Sequence, residues 1–299
     1  MSNFLRGLKA ATESPALIAV TGKYHGLGNR VRVVLGCRTL AQAEGRSFAY
    51  TWPTGPTFGA RLDQLWEFDA PVVPLPVSRL LALRSPYVNH SLDWLDADAR
   101  TQRLWQIRTP HAIVLPTNLP SWETELRKLT PTKEVIRLIE SAANDGPSVH
   151  RGYVGVMIRT KSNAHALTLK HSPLEWYLER MSQLRVMWPD VPFYVCADTP
   201  EAFLRAQQAF SGCFGTEDKG KYNSLSALRA SVADLYMLAG SSHLLGPHYS
   251  SFPELAQLLA GAKLRLETSM TPEQEVPTTT SGLSVAANPT RPFERTLVL

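Results

Sequence analysis

Cysteine is scarce and unclustered. Cys37, Cys196 and Cys213 are the three in 299 residues, far apart and in no metal-ligand spacing, which predicts buried thiols rather than a metal site. Long apolar runs are missing too. Each is broken by charge or proline well before ~18 residues, so no membrane-spanning helix is predicted. The opening stretch MSNFLRGLKAATESPALIAV lacks the basic-then-apolar order of a signal peptide, with Glu13 and Pro15 where an apolar core would lie, and the expectation is a cytoplasmic protein. The dinucleotide fingerprint is absent, because Val31 stands where the third glycine of G-x-G-x-x-G belongs. No repeat of fixed period is present. Charge is modest at 19 %, against 44 % hydrophobic residues, as in a soluble globular protein. The net charge of +5 lies mostly before residue 150, with 17 basic and 13 acidic residues there and 14 and 13 after it. Such a surplus suits an ordinary basic surface or a partner carrying phosphate or carboxylate.

What is present is organised around Tyr153 to Thr160, YVGVMIRT. This apolar run followed by polar residues predicts a parallel-sheet strand and the loop at its carboxyl edge, where open α/β sheets bind ligands. It delivers Arg159 to that edge. Beyond it, strand and helix alternate four times, through PLEWYLERMSQLRVMW, FYVCAD, TPEAFLRAQQAF, HLLGP, SSFPELAQLLAG and KLRLET. The pattern predicts a doubly wound α/β sheet.

Before Arg159, ALIAV, the loop TGKYHGLGNR, a helix to about Glu44 and SFAYTWP form a βαβ unit, with Gly45 placed as the helix cap. The helix is predicted to carry a broad apolar face through Val31, Val34, Leu35 and Ala41. Between Thr54 and Arg108 the many prolines predict short strands and loops. HAIVLP (His111 to Pro116) reads as a buried strand, and helices follow over LPSWETELRKL and PTKEVIRLIESAAN. The turn residues of Asn144 to Gly152 mark a linker. The predicted domains are therefore 1–148 and 149–270, followed by an extended or disordered tail over 271–299, whose end FERTLVL is apolar enough to dock.

Chemistry concentrates at the strand ends. The loop His25-Gly26-Leu27-Gly28-Asn29-Arg30 joins a strand to a helix, where glycines allow close approach and the helix N-terminus offers N–H groups to an anion. Asn29 is equally an N-cap candidate. Asp198 ends a strand, Asp234 sits inside an apolar helix, and Ser250-Ser251-Phe252 open a helix after a strand. An arginine fork and a helix N-terminus suit a diphosphate, and a carboxylate can accept the N1–H and N2 donors of guanine. Together these residues describe a nucleotide-diphosphate site.

KYHGLGNRVRVVLGCRTLAQAEGRSFAYTWP resembles the N-terminal G-x-GN segment of the fucosyltransferase superfamily, which includes α1,6-, α1,2-, nodulation and protein O-fucosyltransferases. GVMIRT, FYVCADTPEAF and ADLYMLAGSSHLLGPHYSSFPELAQLLAG resemble its three C-terminal motifs in the same order. The resemblance runs from about Lys23 to Gly261, leaving residues 54–150 unaligned. It implies a GT-B-like fold of two facing Rossmann-like domains and an inverting glycosyltransferase that uses a GDP-sugar, GDP-fucose first, with no metal or other cofactor. Carried over, Arg159 matches the arginine on the donor β-phosphate and Asp234 the acid that reads guanine. Ser250, Ser251 and Phe252 match the element closing on the diphosphate, and Asp198 the acid after the second strand. Gly26, Gly28, Asn29 and Arg30 belong to the first-domain loop facing the donor.

Two family positions differ, since Met157 stands where the family has His and Thr160 where it has a second Arg. The loop Lys161 to His165 also lacks the carboxylate some relatives use as general base, which leaves His165 or His25 as the candidate. The acceptor is a glycan, protein or other hydroxyl-bearing molecule. Two further readings stay open: a non-catalytic nucleotide- or carbohydrate-binding relative, and a transferase acting on DNA or another polyanion.

Overall fold

The computed structural model describes residues 6–7, 9, 15–146, 152–162, 164–217 and 219–295. The chain divides into two compact units, Met1–Thr132 with Asn223–Leu225, and Lys133–Tyr222 with Ser226–Leu299. Of the linker expected over 144–152, residues 147–151 lie outside the described residues. The helix before it groups with the second unit, not the first.

In the first unit four parallel strands, β1 (Ala16–Val20), β2 (Ser47–Thr51), β3 (Tyr87–Val88) and β4 (Leu104–Arg108), lie in the order β2-β1-β4-β3. Every residue of β1 is buried, as a central parallel strand covered on both faces requires. Helix α1 (Leu27–Ala43) follows β1 and ends at Gly45, whose φ of +62° is the left-handed value that glycine adopts at low cost. The helix is buried on more than the expected apolar stripe. Val33, Cys37 and Leu40 are also buried, and a Cβ on Gly36 would lie 2.9 Å from Ile113.

The strand expected at His111 to Pro116 is not formed; that segment is irregular, with Ile113 buried and Val114 58 % exposed. The strand is β4 instead, paired in register with β1 from Ala16↔Leu104 to Val20↔Arg108. Short helices α2 (Leu75–Leu81), α3 (Ala97–Thr101) and α4 (Trp122–Arg127) complete the unit.

In the second unit, helix α5 (Lys133–Asp145) precedes β5 (Val154–Ile158), and β6 (Phe193–Ala197), β7 (Cys213–Phe214), β8 (His243–Leu245) and β9 (Leu266–Glu267) follow. All pair parallel in the order β7-β6-β5-β8-β9. Helices α6 (Ala166–His171), α7 (Leu174–Met187), α8 (Pro200–Ala209), α9 (Leu225–Gly240) and α10 (Ser251–Ala260) form the connections. Val154, Val156 and Ile158 pack with Tyr177, Met181 and Leu184 of α7 and Phe203 of α8. Each such fully buried aliphatic side chain contributes about 1.5–3 kcal/mol.

The tail runs extended through two 3₁₀ turns, Glu273–Glu275 and Thr280–Gly282. It builds no core of its own. Its backbone is stitched onto the second unit instead, with Ser284 N–H donating to Ser242 O and Ala287 N–H to Gly240 O, both at 2.9 Å. Residues 296–299 of its apolar end lie outside the described residues.

Candidate functional site

The strand order of the second sheet sets the site. From β5 the chain winds outward through β6 to β7, then returns to place β8 on the other side of β5, so the crevice at the carboxyl ends of β5 and β8 is the topological switch point. Arg159 follows β5, and Ser250 and Ser251 follow β8.

Arg159 is about one-third exposed, with Nε 3.8 Å from Asp198 Oδ2. Asp198, one residue beyond β6, is committed mainly to backbone. It accepts from Thr160 N–H at 2.8 Å and Lys161 N–H at 3.2 Å, which fixes the turn carrying Arg159. Thr160 Oγ1 lies 2.9 Å from the Oγ1 of Thr199, the N-cap of α8. Thr160 thus serves as a loop brace, and Met157 is buried.

At the other strand end, Tyr249 takes a left-handed φ of 60°, Ser250 is the N-cap without a side-chain cap bond, and α10 starts at Ser251. Ser250 Oγ is buried without a hydrogen-bond partner among the described residues. Ser251 is exposed and Phe252 half-buried. Pro253 leaves the first turn one donor short, so the N–H groups of Ser251 and Phe252 are its anion-facing donors. Helix α6 holds this turn, through Thr168 Oγ1 donating to His248 O at 3.0 Å and Ser172 Oγ accepting from His248 N–H at 2.8 Å.

Asp234 is 2 % exposed in α9. Its Oδ1 accepts from Tyr194 OH at 2.6 Å and its Oδ2 lies 2.6 Å from Lys219 Nζ, which also reaches Cys196 Sγ at 3.3 Å. Burial works against the Lys219 ammonium, but Asp234 and Cys196 outweigh it and raise its pKa. Burial, reinforced by Asp234, pushes the Cys196 thiol up to about 12. A cavity of about 540 Å³ between α5 and α9 reaches Tyr194, Lys219 and Asp234. Lys219 was not singled out in the sequence. The available signal was Asp234 itself, since a carboxylate inside an apolar helix requires a partner.

In the first unit α1 begins at Leu27 with Gly26 as its N-cap, so Gly28 and Asn29 lie in the first helical turn rather than ahead of it, and Asn29 is not the cap. Its Oδ1 accepts from the Arg32 guanidinium. Arg30, expected to face the donor, braces its own loop. It is fully buried and donates to His25 O, Pro53 O and Lys23 O at 2.8, 2.7 and 3.1 Å, above the Phe58 ring. Burial lowers its pKa to about 10.

His25 accepts the Gly22 N–H at Nδ1, 3.1 Å away. Burial first, then the nearby guanidinium groups of Arg30, Arg108 and Arg32, hold the imidazole below its ordinary value. With Nδ1 accepting, the neutral form of the ring carries its proton on Nε2. The Nδ1 of His165 accepts from Leu167 N–H at 3.2 Å as the N-cap of α6, and its ring lies tilted against Tyr249 with the centroids 4.3 Å apart. In both candidate bases the lone pair is already engaged by an amide. Among the described residues no three His, Cys, Asp or Glu side chains group closely enough to hold a metal ion, and no helix is long and apolar enough to cross a membrane.

No family model matches this sequence, and no curated protein does. Solved structures do. The NodZ α-1,6-fucosyltransferase soaked with GDP-fucose is 15 % identical, with a TM-score of 0.57 over 83 % of this chain and 93 % of its own. A point variant of Arabidopsis thaliana FUT1 in complex with GDP is 13 % identical, with a TM-score of 0.57 over 92 % and 77 %. POFUT1 in complex with GDP is 10 % identical, with a TM-score of 0.52 over 86 % and 99 %. This chain has the α/β fold of the fucosyltransferases, two parallel-sheet units of the Rossmann-like kind.

Proposed function

We propose that this protein is a glycosyltransferase that uses a GDP-sugar, GDP-fucose first, and transfers the sugar with inversion to an acceptor hydroxyl without a metal ion. The observation that carries the reading is that Arg159 follows β5 and Ser250-Ser251 follow the adjacent strand β8, so both leave the carboxyl edge at the switch point of the second sheet, in a fold whose solved examples hold GDP and GDP-fucose. The acceptor oxygen attacks the anomeric carbon in line, the bond from that carbon to the β-phosphate oxygen breaks with its electron pair leaving on GDP, and the acceptor's proton passes to water. Arg159 and the amides of Ser251 and Phe252 meet the charge that builds there. Neither His25 nor His165 is assigned as general base, because each uses its Nδ1 lone pair on a backbone amide.

A thermal-shift panel tests the donor. At a hundredfold excess over its Kd, GDP should raise the melting temperature by about 5–10 °C, and by more than UDP, CDP or ADP. Asp234→Asn should narrow that difference. Equal shifts for all four would leave a diphosphate site with Asp234 as a structural helix residue. No shift for any would remove the reading.

The engaged histidines favour one other reading, a nucleotide-binding relative without turnover. Release of GDP from GDP-fucose in the presence of hydroxyl acceptors separates the two.

A further inference from the structure

We propose that Lys219 is a base-reading residue, donating to the O6 of guanine while Asp234 accepts from N1–H and N2. The inference rests on the GDP-sugar reading above and adds a residue to it. An ammonium has three donors. One meets Asp234 Oδ2 at 2.6 Å and one Cys196 Sγ at 3.3 Å, and the third has no acceptor among the described residues. Asp234 has the complementary surplus: a carboxylate offers about four lone-pair sites, and Tyr194 and Lys219 occupy two of them.

Spare donor and spare acceptor therefore lie side by side where both groups line the 540 Å³ cavity. The walls there include Leu138 and Ala142 of α5 and Ala230 and Ala233 of α9, apolar surfaces suited to the faces of a planar ring. Guanine presents O6, N1–H and N2–H in sequence along one edge, one acceptor followed by two donors. The couple matches that order. Adenine reverses it, setting its amino group against the ammonium and its N1 lone pair against the carboxylate, so a buried mismatch opposes it at both atoms. Lys219 in this way supplies a base contact in a chain whose Met157 is apolar.

The test compares affinities of the intact protein for GDP, 6-thio-GDP and IDP. Replacing O6 by sulfur weakens only the contact assigned to Lys219, and removing the N2 amino group weakens only one assigned to Asp234. The wild-type chain should prefer GDP over each analogue, by about tenfold or more for 6-thio-GDP, since a hydrogen bond from a charged group is at stake. In Lys219→Met the preference over 6-thio-GDP should vanish, while the preference over IDP persists. Equal wild-type affinity for GDP and 6-thio-GDP overturns the proposal, and this measurement needs no variant to fold. Loss of both preferences in Lys219→Met also overturns it, because that is the mark of a lysine that merely holds Asp234 in place. Failure of every diphosphate to bind removes the donor reading instead, and this inference with it.

Discussion

Arg159→Ala is expected to slow turnover of the nucleotide sugar by about 30- to 1000-fold, with little change in folding. Loss of a charge-assisted contact to the departing diphosphate costs on the order of 2–4 kcal/mol of transition-state stabilisation. The stability effect is small for a separate reason. The Arg159 to Asp198 pair is loose at 3.8 Å and partly solvated, so it contributes at most about 1 kcal/mol. Asp198 keeps its two backbone donors when Arg159 is removed, so the turn survives. Turnover, GDP affinity and melting temperature of this one variant give the answer. A melting-temperature loss with turnover and GDP binding intact would make Arg159 an ordinary ion-pair partner and remove the main support for the transferase.

The second large effect belongs to stability and lies away from the crevice. Glu267 on β9 is buried between Arg180 of α7 and His243 of β8, with Arg180 Nε at 2.5 Å and His243 Nε2 at 2.7 Å. Arg180 also donates to Pro277 O of the tail at 2.9 Å. Removing Glu267 leaves the Arg180 charge buried with neutral acceptors only, and removing Arg180 leaves the carboxylate with His243 as its one remaining partner, each at a cost of up to about 3–5 kcal/mol. Arg180→Leu or Glu267→Leu should therefore lower the melting temperature by about 6–20 °C. The double variant should recover much of that loss, because the apolar pair leaves no orphaned charge. Burial works against the Glu267 carboxylate, but His243 and Arg180 outweigh it and hold its pKa below the usual range. The stability it adds is complete above the unfolded carboxylate pKa and is lost as pH falls through the lower folded value. Glu267→Gln should flatten that acid limb in a pH series of melting curves. Single variants as stable as wild type would show the triad to be energetically idle.

Most of the second sheet was legible because three of its strands are apolar runs: YVGVMI, FYVCA and HLL each lack an interior charge, and Arg159 and Asp198 after the first two mark the carboxyl edge, whereas the two-residue β7 was not read. Arg159 and Ser250 were readable for the same reason. The first sheet hid two strands, β3 and β4. In β4 the interruption is Gln106, a polar residue that is fully buried because Ser78 Oγ donates to its Oε1 at 2.8 Å and its Nε2 donates to Ser85 O at 2.9 Å. Partners some twenty residues away in sequence turned a polar position into a core one, which local pattern does not show. HAIVLP misled in the opposite sense, as an apolar run bounded by Pro110 and Pro116 that spends Ile113 on packing against Gly36 and leaves Val114 in solvent. At the site, residue identity pointed to Arg30 as a ligand, whereas three carbonyls had already claimed its guanidinium. Such prior claims are a property of the folded loop. Lys219 was invisible for the converse reason, since only the return of its loop toward Asp234 makes it a buried residue.

The tail changes how the second unit breathes. The last turn of α9 leaves carbonyls that no further helical N–H can reach, and the tail supplies the donors: Ala287 N–H to Gly240 O at 2.9 Å, and the Arg295 guanidinium to Ala239 O and Ser241 O. Residues outside every helix and strand thereby become part of the slow-exchanging core. In deuterium exchange the amides of Ser284 and Ala287 should show protection close to that of β5, and Arg295→Ala should release them and the end of α9 together as one opening unit.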